Sequence, residues 1–199
     1  MTRNKLNLLA RPYLSASLLA AVLVLDQATK FLALYLLGDS VFMGYIRSDH
    51  ARRILGDFVW LFVAYNPGAA FSMTPQTLLP FLPPTVFYIL LTSVAGWFLV
   101  RLWIRKRDPI VRTGAALVLS GALGNLIDRL RITHVVDFIS LGIPGFTWRW
   151  PTFNVADSAI CAGVCLLLWG ESRLQSRLNH RATHHIPPPG PEETRQAVP

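Results

Sequence analysis

Four long apolar stretches with few charged residues constrain this chain most strongly. They run from about Tyr13 to Leu37, from Thr85 to Ile104, from Ile110 to about Leu130, and from about Asn154 to Gly170. A helix needs about 20 mainly apolar residues to cross a bilayer. The last two stretches contain only 15 and 13 uncharged residues in a row, so they qualify as spans only if their polar ends face a protein interior. The sequence predicts four transmembrane helices.

The composition favours a membrane protein over a nucleic-acid-binding one. Of the 199 residues, 52% are hydrophobic and 15% are charged, whereas soluble domains carry about 25% charged residues. A net charge of +8 on so apolar a chain reflects membrane topology, and we expect no nucleic-acid partner. A cleaved signal peptide is the alternative for the first stretch. That stretch exceeds the usual core of about 7 to 15 residues and lacks a clear A-x-A site, so we favour an uncleaved span.

Basic residues are divided unequally between the two sides of the four-span topology. Residues 1–12, the connection 101–112 and the tail after Gly170 hold 12 of the 19 lysines and arginines. An excess of Lys and Arg in short loops marks the cytoplasmic side. We therefore predict that both termini are cytoplasmic, that residues 13–170 form the membrane domain, and that residues 171–199 form a disordered cytoplasmic tail, most clearly from Asn179 onwards.

The long outer segment, residues 38–84, is predicted to form a small β-sheet. Residues 57–65 are rich in aromatic and β-branched side chains, which favour a strand. The sequence Asn66-Pro67-Gly68 is typical of a turn, and residues 69–72 are a candidate return strand. The aromatic rings of this segment suit the interfacial zone of a membrane.

Polar side chains occur inside the predicted spans, where a bilayer makes them costly and where they indicate a functional site. They are Asp26, Lys30, Asn125, Asp128, Arg129, Asn154 and Asp157, with Asp137 just beyond the third span. The third span runs outwards and the fourth returns, and Asp26 lies roughly 20 Å along the first span at 1.5 Å per residue. The set can therefore converge on one pocket near the outer leaflet.

Each of these residues also has a structural interpretation when taken alone. Asp26 and Lys30 are four residues apart and can neutralise each other on one helix. Asp128 and Arg129 can anchor the third span at the interface, and Asn154 can cap the fourth. Convergence of the whole set favours a site, although a transporter that relays protons or ions stays open.

Asp137 and Asp157 are the candidate catalytic pair. If their side chains meet, repulsion and low dielectric keep one carboxyl protonated while the other is ionised. Such a pair can activate water and protonate a leaving amine, which is acid–base hydrolysis of an amide. All five histidines lie outside the spans, so no serine or cysteine triad competes. The chain has no CxxC or HExxH motif, and we interpret Cys161 and Cys165 as small packing residues.

Five blocks of the sequence resemble the lipoprotein signal peptidase (signal peptidase II) family, and they occur in the family's order. They are Asp26-Gln-Ala-Thr-Lys30, Asn66-Pro-Gly-Ala-Ala-Phe-Ser72, Gly121-Ala-Leu-Gly-Asn-Leu-Ile-Asp-Arg129, Val135-Val-Asp-Phe138 and Phe153-Asn-Val-Ala-Asp-Ser158. The resemblance implies an all-α polytopic protein of the bacterial inner membrane with four transmembrane helices and a small extracytoplasmic β-cradle.

The resemblance also implies the activity, that of an aspartyl endopeptidase without metal or other cofactor. Its partners would be membrane lipid and its substrates, prolipoproteins that it cuts before a diacylglyceryl-modified cysteine. The family's aspartate dyad falls on Asp137 and Asp157. The supporting polar residues fall on Asp26, Lys30, Asn66, Asn125, Asp128, Arg129 and Asn154.

The chain departs from the family pattern at three places. Pro67 stands where the family usually has Thr, residues 132–134 stand where a Gly is common, and the segment containing residues 47–53 is longer than typical. We expect these departures to affect substrate preference and loop dynamics more than the chemistry. A presenilin-type protease is disfavoured because its Gly-x-Gly-Asp signature is missing, and a small transporter or a non-catalytic scaffold is the alternative function.

Overall fold

Four helices, a two-stranded sheet and a three-stranded sheet make up most of the described part of the chain. The computed structural model describes residues 12–38, 41–42, 45–46, 51–67, 81, 83–106 and 108–184. The helices are α1 (Pro12–Leu37), α2 (Pro84–Arg105), α3 (Pro109–Ile132) and α4 (Val155–His184). The strands are β1 (Val41–Phe42), β2 (Tyr45–Ile46), β3 (Arg52–Leu55), β4 (Val59–Asn66) and β5 (Val135–Leu141).

The four predicted spans are confirmed. Each helix contains a stretch long and apolar enough to cross a membrane. Half of the α3 span is buried inside the protein, against 11 to 22% for the other three spans, so α3 is the central helix. The polar ends of the two shorter stretches do face the interior, because Asn125, Asp128 and Asn154 are all buried.

Glycines bring α3 and α4 unusually close together. A Cβ added to Gly114 would lie 2.9 Å from the carbonyl oxygen of Gly163, and one added to Gly163 would lie 2.7 Å from that of Gly114. Small residues of this kind let helix backbones approach in membranes, where packing replaces the hydrophobic effect as the driving force. The close approach holds the second turn of α3 directly against α4.

The three-stranded sheet is antiparallel in the order β3-β4-β5. Its β4–β5 register places Ala64 opposite Asp137. Val63 on β4 and Val136 on β5 are buried with Ala33 and Leu37 of α1 in one apolar cluster. The sheet is therefore fixed to the end of α1, near the end of α3 and the start of α4. We call this end of the helix bundle the sheet end.

Three sequence expectations need correction or restriction here. The strand expected over residues 57–65 is confirmed as β4. The sheet is not confined to the 38–84 segment as expected, because β4 also pairs with β5, which follows α3. The return strand expected at residues 69–72 lies outside the described residues. Segment 171–184, which we expected to be disordered, is helical, because no glycine or proline stops α4 after Gly170.

Both cysteines are exposed on the surface of α4 rather than packed inside the bundle. On a membrane-spanning helix such a surface faces lipid, and small side chains are tolerated there. This corrects their interpretation as packing residues.

Candidate active site

Asp137 and Asp157 are linked at the sheet end through a single residue, Asn154. Asp137 is on β5 and is 1% exposed, whereas Asp157 is in the first turn of α4 and is half-buried. The Asn154 side-chain amide donates to Asp137 Oδ1 at 2.7 Å, and the Asn154 backbone N–H donates to Asp157 Oδ2 at 3.2 Å. β5 and the N-terminus of α4 thus bring the two candidate catalytic carboxylates to the same place.

Asn154 is also the cap of α4, so its structural interpretation holds together with its place in the site. Its Oδ1 accepts from the backbone N–H of Asp157 at 2.9 Å, while Asp157 accepts from the backbone N–H of Asn154. This reciprocal arrangement is a capping box, and it satisfies two backbone donors at the helix start. The same contacts hold the Asp157 carboxylate in one orientation.

Two further asparagines complete the shell around the carboxylates. Asn66, at the end of β4, donates to Asp137 Oδ2 at 3.0 Å, and Asn125 on α3 donates to Asp157 Oδ1 at 2.8 Å. All four carboxylate oxygens therefore accept a hydrogen bond from an amide N–H. Donors fixed in this way hold both carboxyl groups in place for acid–base chemistry.

The environment of Asp137 favours its protonated form. Burial, and to a lesser extent the negative charge of Asp157, raises the pKa of Asp137 to about 7, although the hydrogen bond from Asn66, the charge of Lys30 and the hydrogen bond from Asn154 oppose the rise. Near neutral pH the Asp137 carboxyl thus holds a proton in a large fraction of molecules. Two carboxyls that share a proton can act as acid and base in one reaction.

Lys30 lies at the centre of a buried ion network below the pair. Its ammonium is 2.9 Å from Asp26 Oδ2, 2.8 Å from Asp128 Oδ2 and 2.9 Å from Asn125 Oδ1. Lys30, Asp26 and Asp128 are at most 2% exposed. The expectation that Lys30 mainly pairs Asp26 is therefore too narrow, and Asp128 is an internal partner rather than an interfacial anchor.

The ion network reaches the backbone directly beside each candidate catalytic residue. Asp26 Oδ1 accepts from the backbone N–H of Ala156 at 2.9 Å, and Asp128 Oδ2 accepts from that of Val136 at 3.1 Å. These residues immediately precede Asp157 and Asp137. Asp26 therefore holds the start of α4 against α1, and Asp128 holds the start of β5 against α3.

Gln27 and Gly124 belong to this network, although we did not predict them as site residues. The Gln27 amide lies within 3.2 Å of Asp26, Asp128 and the carbonyl oxygen of Gly124. A Cβ added to Gly124 would lie 2.5 Å from Asp26 Oδ2. The available signal was the position of Gln27, a polar residue beside Asp26 inside an apolar span.

Arg129 lies on the last turns of α3, close to both candidate catalytic carboxylates. Its guanidinium donates to the carbonyl oxygen of Asn125 at 3.4 Å and stacks on the ring of Tyr88, with 4.1 Å from Cζ to the ring centroid. Asp137 and Asp157 are both within electrostatic range of this charge. Arg129 is thus a cation placed beside the pair, and its stacking on Tyr88 is a contact that the sequence did not reveal.

A metal ion in the described part of the site would need a group of ligand side chains. Among the described residues, no three His, Cys, Asp or Glu side chains are grouped as a metal ion would require. His134 is exposed, and its ring lies edge-on to Tyr65 at a centroid distance of 6.4 Å. The chemistry available from these residues is that of the two carboxylates and the amides around them.

The sequence and the fold are both similar to known proteins. The family model described as signal peptidase (SPase) II matches residues 18–172. The chain belongs to the signal peptidase II family. A lipoprotein signal peptidase of Polynucleobacter necessarius is 37% identical over 152 residues, which are 76% of this chain and 85% of that protein. One from Syntrophotalea carbinolica is 41% identical over 154 residues, 76% of this chain and 86% of that protein.

A solved structure described as a bacterial membrane enzyme has the same fold as this signal peptidase II family member. It superposes with a TM-score of 0.64 at 27% identity and covers 82% of this chain and 90% of its own. Membership of the signal peptidase II family makes the protein a peptidase, and the four spans make it a multi-pass protein of a bacterial membrane.

Proposed function

We propose that the protein is an aspartic endopeptidase that removes signal peptides from prolipoproteins and cuts before a diacylglyceryl-modified cysteine. The observation that carries the aspartic mechanism is the pair of carboxyls joined through Asn154, one buried on β5 and one half-buried on α4. Family membership supports the substrate class. Both termini are proposed to be cytoplasmic, which places the sheet end at the outer leaflet of the inner membrane.

In the proposed reaction Asp157 acts as the base and Asp137 as the acid. The ionised Asp157 takes a proton from water, and the water oxygen attacks the carbonyl carbon of the scissile bond. Asp137 gives its proton to the carbonyl oxygen, which forms a neutral gem-diol. As the C–N bond breaks, Asp157 passes its proton to the leaving amine and Asp137 takes one from a gem-diol hydroxyl. The pair is thereby restored.

The burial difference between the carboxyls supports this assignment of roles. Asp137 is enclosed, and its pKa of about 7 keeps a proton available near neutral pH. Asp157 is half-buried, so water and a peptide can reach it. Arg129, beside both carboxylates, is proposed to hold a carbonyl oxygen of the substrate through charge-assisted hydrogen bonds, with Asn125 as the neutral alternative.

The remaining family-matched residues are proposed to hold the dyad in place. Asp26, Lys30 and Asp128 secure the backbone on either side of it, and Asn66 and Asn154 orient the carboxyl groups. Apolar side chains on α2, such as Leu90 and Val94, are exposed. They leave a lipid-facing surface for the acyl chains of the substrate.

Cleavage by the purified protein tests the proposed substrate. The wild type, reconstituted in vesicles, is given one prolipoprotein with and without the diacylglyceryl group on its cysteine, and mass spectrometry locates the new N-terminus. We expect cleavage of the lipidated form alone, directly before the cysteine, and no loss of activity with a chelator. A transporter or a scaffold would leave both forms intact. Cleavage at another position, or of the unlipidated form equally well, would contradict the proposed specificity.

A further inference from the structure

Tyr88 is the one buried aromatic residue of α2, a helix whose other faces are largely exposed. It lies in the second turn of α2 and is 4% exposed, whereas its neighbours Val86 and Leu90 are 40% and 54% exposed. Only 11% of the α2 span is buried. Tyr88 is therefore on the narrow face of α2 that packs against α3.

The Tyr88 ring is in contact with a charged group of the site. Its centroid lies 4.1 Å from Cζ of Arg129, which is a close cation–π distance. Arg129 is in turn within electrostatic range of Asp137 and Asp157. Tyr88 therefore contacts a cation whose charge acts on the carboxylate pair.

The hydroxyl of Tyr88 is buried, and within the described ranges no group forms a hydrogen bond with it. A buried hydroxyl without a partner is unfavourable, and phenylalanine would fill the same space and stack on Arg129 without that cost. The neighbouring guanidinium has five donors and no acceptor, so it cannot accept the hydroxyl proton. The hydroxyl is accordingly suited to a ligand that brings an oxygen acceptor.

We infer that Tyr88 is a further substrate-binding residue of this peptidase: its ring holds Arg129 at the site, and its hydroxyl donates a hydrogen bond to a carbonyl oxygen of the bound substrate. The inference rests on the proposed function. A lipidated prolipoprotein has two kinds of carbonyl oxygen, in its peptide bonds and in its fatty-acyl esters. Both are acceptors of the same chemistry, and Tyr88 lies in the second turn of α2, stacked against Arg129 of the site.

Kinetics of three tyrosine variants test this inference. Tyr88→Phe keeps the ring and removes the hydroxyl, Tyr88→Leu removes both, and Tyr35→Phe is the matched control because Tyr35 is 77% exposed on α1. We expect Tyr88→Phe to raise KM roughly threefold to tenfold, the effect of one lost hydrogen bond, with kcat nearly unchanged. Tyr88→Leu should lower kcat as well, because Arg129 loses its support.

A stability measurement separates binding from a structural role. Among the described residues the hydroxyl has no hydrogen-bond partner to lose, so Tyr88→Phe should not lower the thermal unfolding midpoint. An unchanged KM in Tyr88→Phe, with an active wild type, would overturn the hydroxyl's role and leave the proposed function intact. Equal kinetics of Tyr88→Leu and Tyr88→Phe would overturn the role of the ring. A wild type that does not cleave would instead overturn the proposed function, and this inference with it.

A substrate with ether-linked alkyl chains distinguishes the two carbonyl sources. Its peptide carbonyls are retained and its ester carbonyls are absent. If Tyr88→Phe raises KM for the ester and ether substrates alike, the hydroxyl binds a peptide carbonyl. If the difference between wild type and Tyr88→Phe disappears with the ether substrate, it binds an ester carbonyl.

Discussion

Replacing Lys30 with methionine removes the one cation from the buried ion network. Methionine has a similar length and no charge, so the change leaves Asp26 and Asp128 as buried carboxylates without their ammonium partner. Both residues are at most 2% exposed, and each lies within 2.9 Å of the Lys30 ammonium. The substitution also removes the hydrogen bond to Asn125, which in turn holds Asp157.

The expected loss of stability follows from this burial. Removal of one partner from a buried ion pair costs about 3 to 5 kcal/mol, because the remaining charge is uncompensated. Two carboxylates share Lys30, so we place Lys30→Met at the upper end of that range. The backbone N–H groups that bind Asp26 and Asp128 keep the loss from being larger. A cost of this size is a large part of the stability of an ordinary domain, about 5 to 15 kcal/mol.

Equilibrium unfolding in detergent measures the change, with Lys106→Met as the matched control. Lys106 pairs with Glu171, and both side chains are at least 40% exposed, so its loss should cost less than about 1 kcal/mol. Adding Asp128→Asn to Lys30→Met should recover part of the loss, since one uncompensated charge is then removed. If Lys30→Met were no more destabilising than Lys106→Met, the buried network would not have the role we assign to it.

Three further predictions concern the backbone, the protonation of the dyad and a close contact. Thr133 caps α3 with a positive φ of 65°, so Thr133→Gly should raise the unfolding free energy by about 1 kcal/mol; a lower thermal midpoint would argue against strain there. Because the pKa of Asp137 is raised to about 7, the cleavage rate should fall as the pH rises above about 7 and the acid is lost. A cleavage rate that climbs steadily to pH 9 would contradict this expectation. Protonation of Asp137 should also stabilise the folded protein, with the full contribution present below about pH 4 and lost as the pH rises through about 7. Gly124→Ala should impair folding or activity, as a Cβ there meets Asp26, and a fully active variant would show that the contact relaxes.

The spans and the carboxylate pair were accessible from the sequence because each leaves a local signal. An apolar run of about 20 residues has few other interpretations, and a carboxylate at the end of such a run is conspicuous. The positions of Asp137 and Asp157 after α3 and at the start of α4 followed from these runs. Their bridging by Asn154 did not, since it depends on how β5 packs beside α4.

The features missed by sequence reasoning depend on contacts between distant segments. β5 is buried at its first four residues, so it lacks the alternation that marks a strand exposed on one face. Lys30 and Asp128 are 98 positions apart in the chain, and nothing in the sequence pairs them. Tyr88 is one aromatic residue in an apolar helix, and only its contact with Arg129 distinguishes it from its neighbours.

Two departures from the family pattern have different outcomes in the structure. Within residues 132–134, Thr133 takes the left-handed conformation that glycine adopts more readily, so the turn before β5 carries strain. Pro67 follows Asn66, whose amide still reaches Asp137. The proline therefore leaves this contact in place.

Cleavage by the dyad variants tests the central claim most directly. Wild type, Asp137→Asn, Asp157→Asn and the control Asp57→Asn, an exposed carboxylate outside the site, are compared on one lipidated prolipoprotein in vesicles. Loss of a general acid or base lowers the rate by about 100-fold to 10,000-fold. We expect each dyad variant to fall at least about 100-fold while Asp57→Asn cleaves like the wild type. Cleavage by Asp137→Asn or Asp157→Asn at a rate near that of the wild type would contradict the aspartic mechanism.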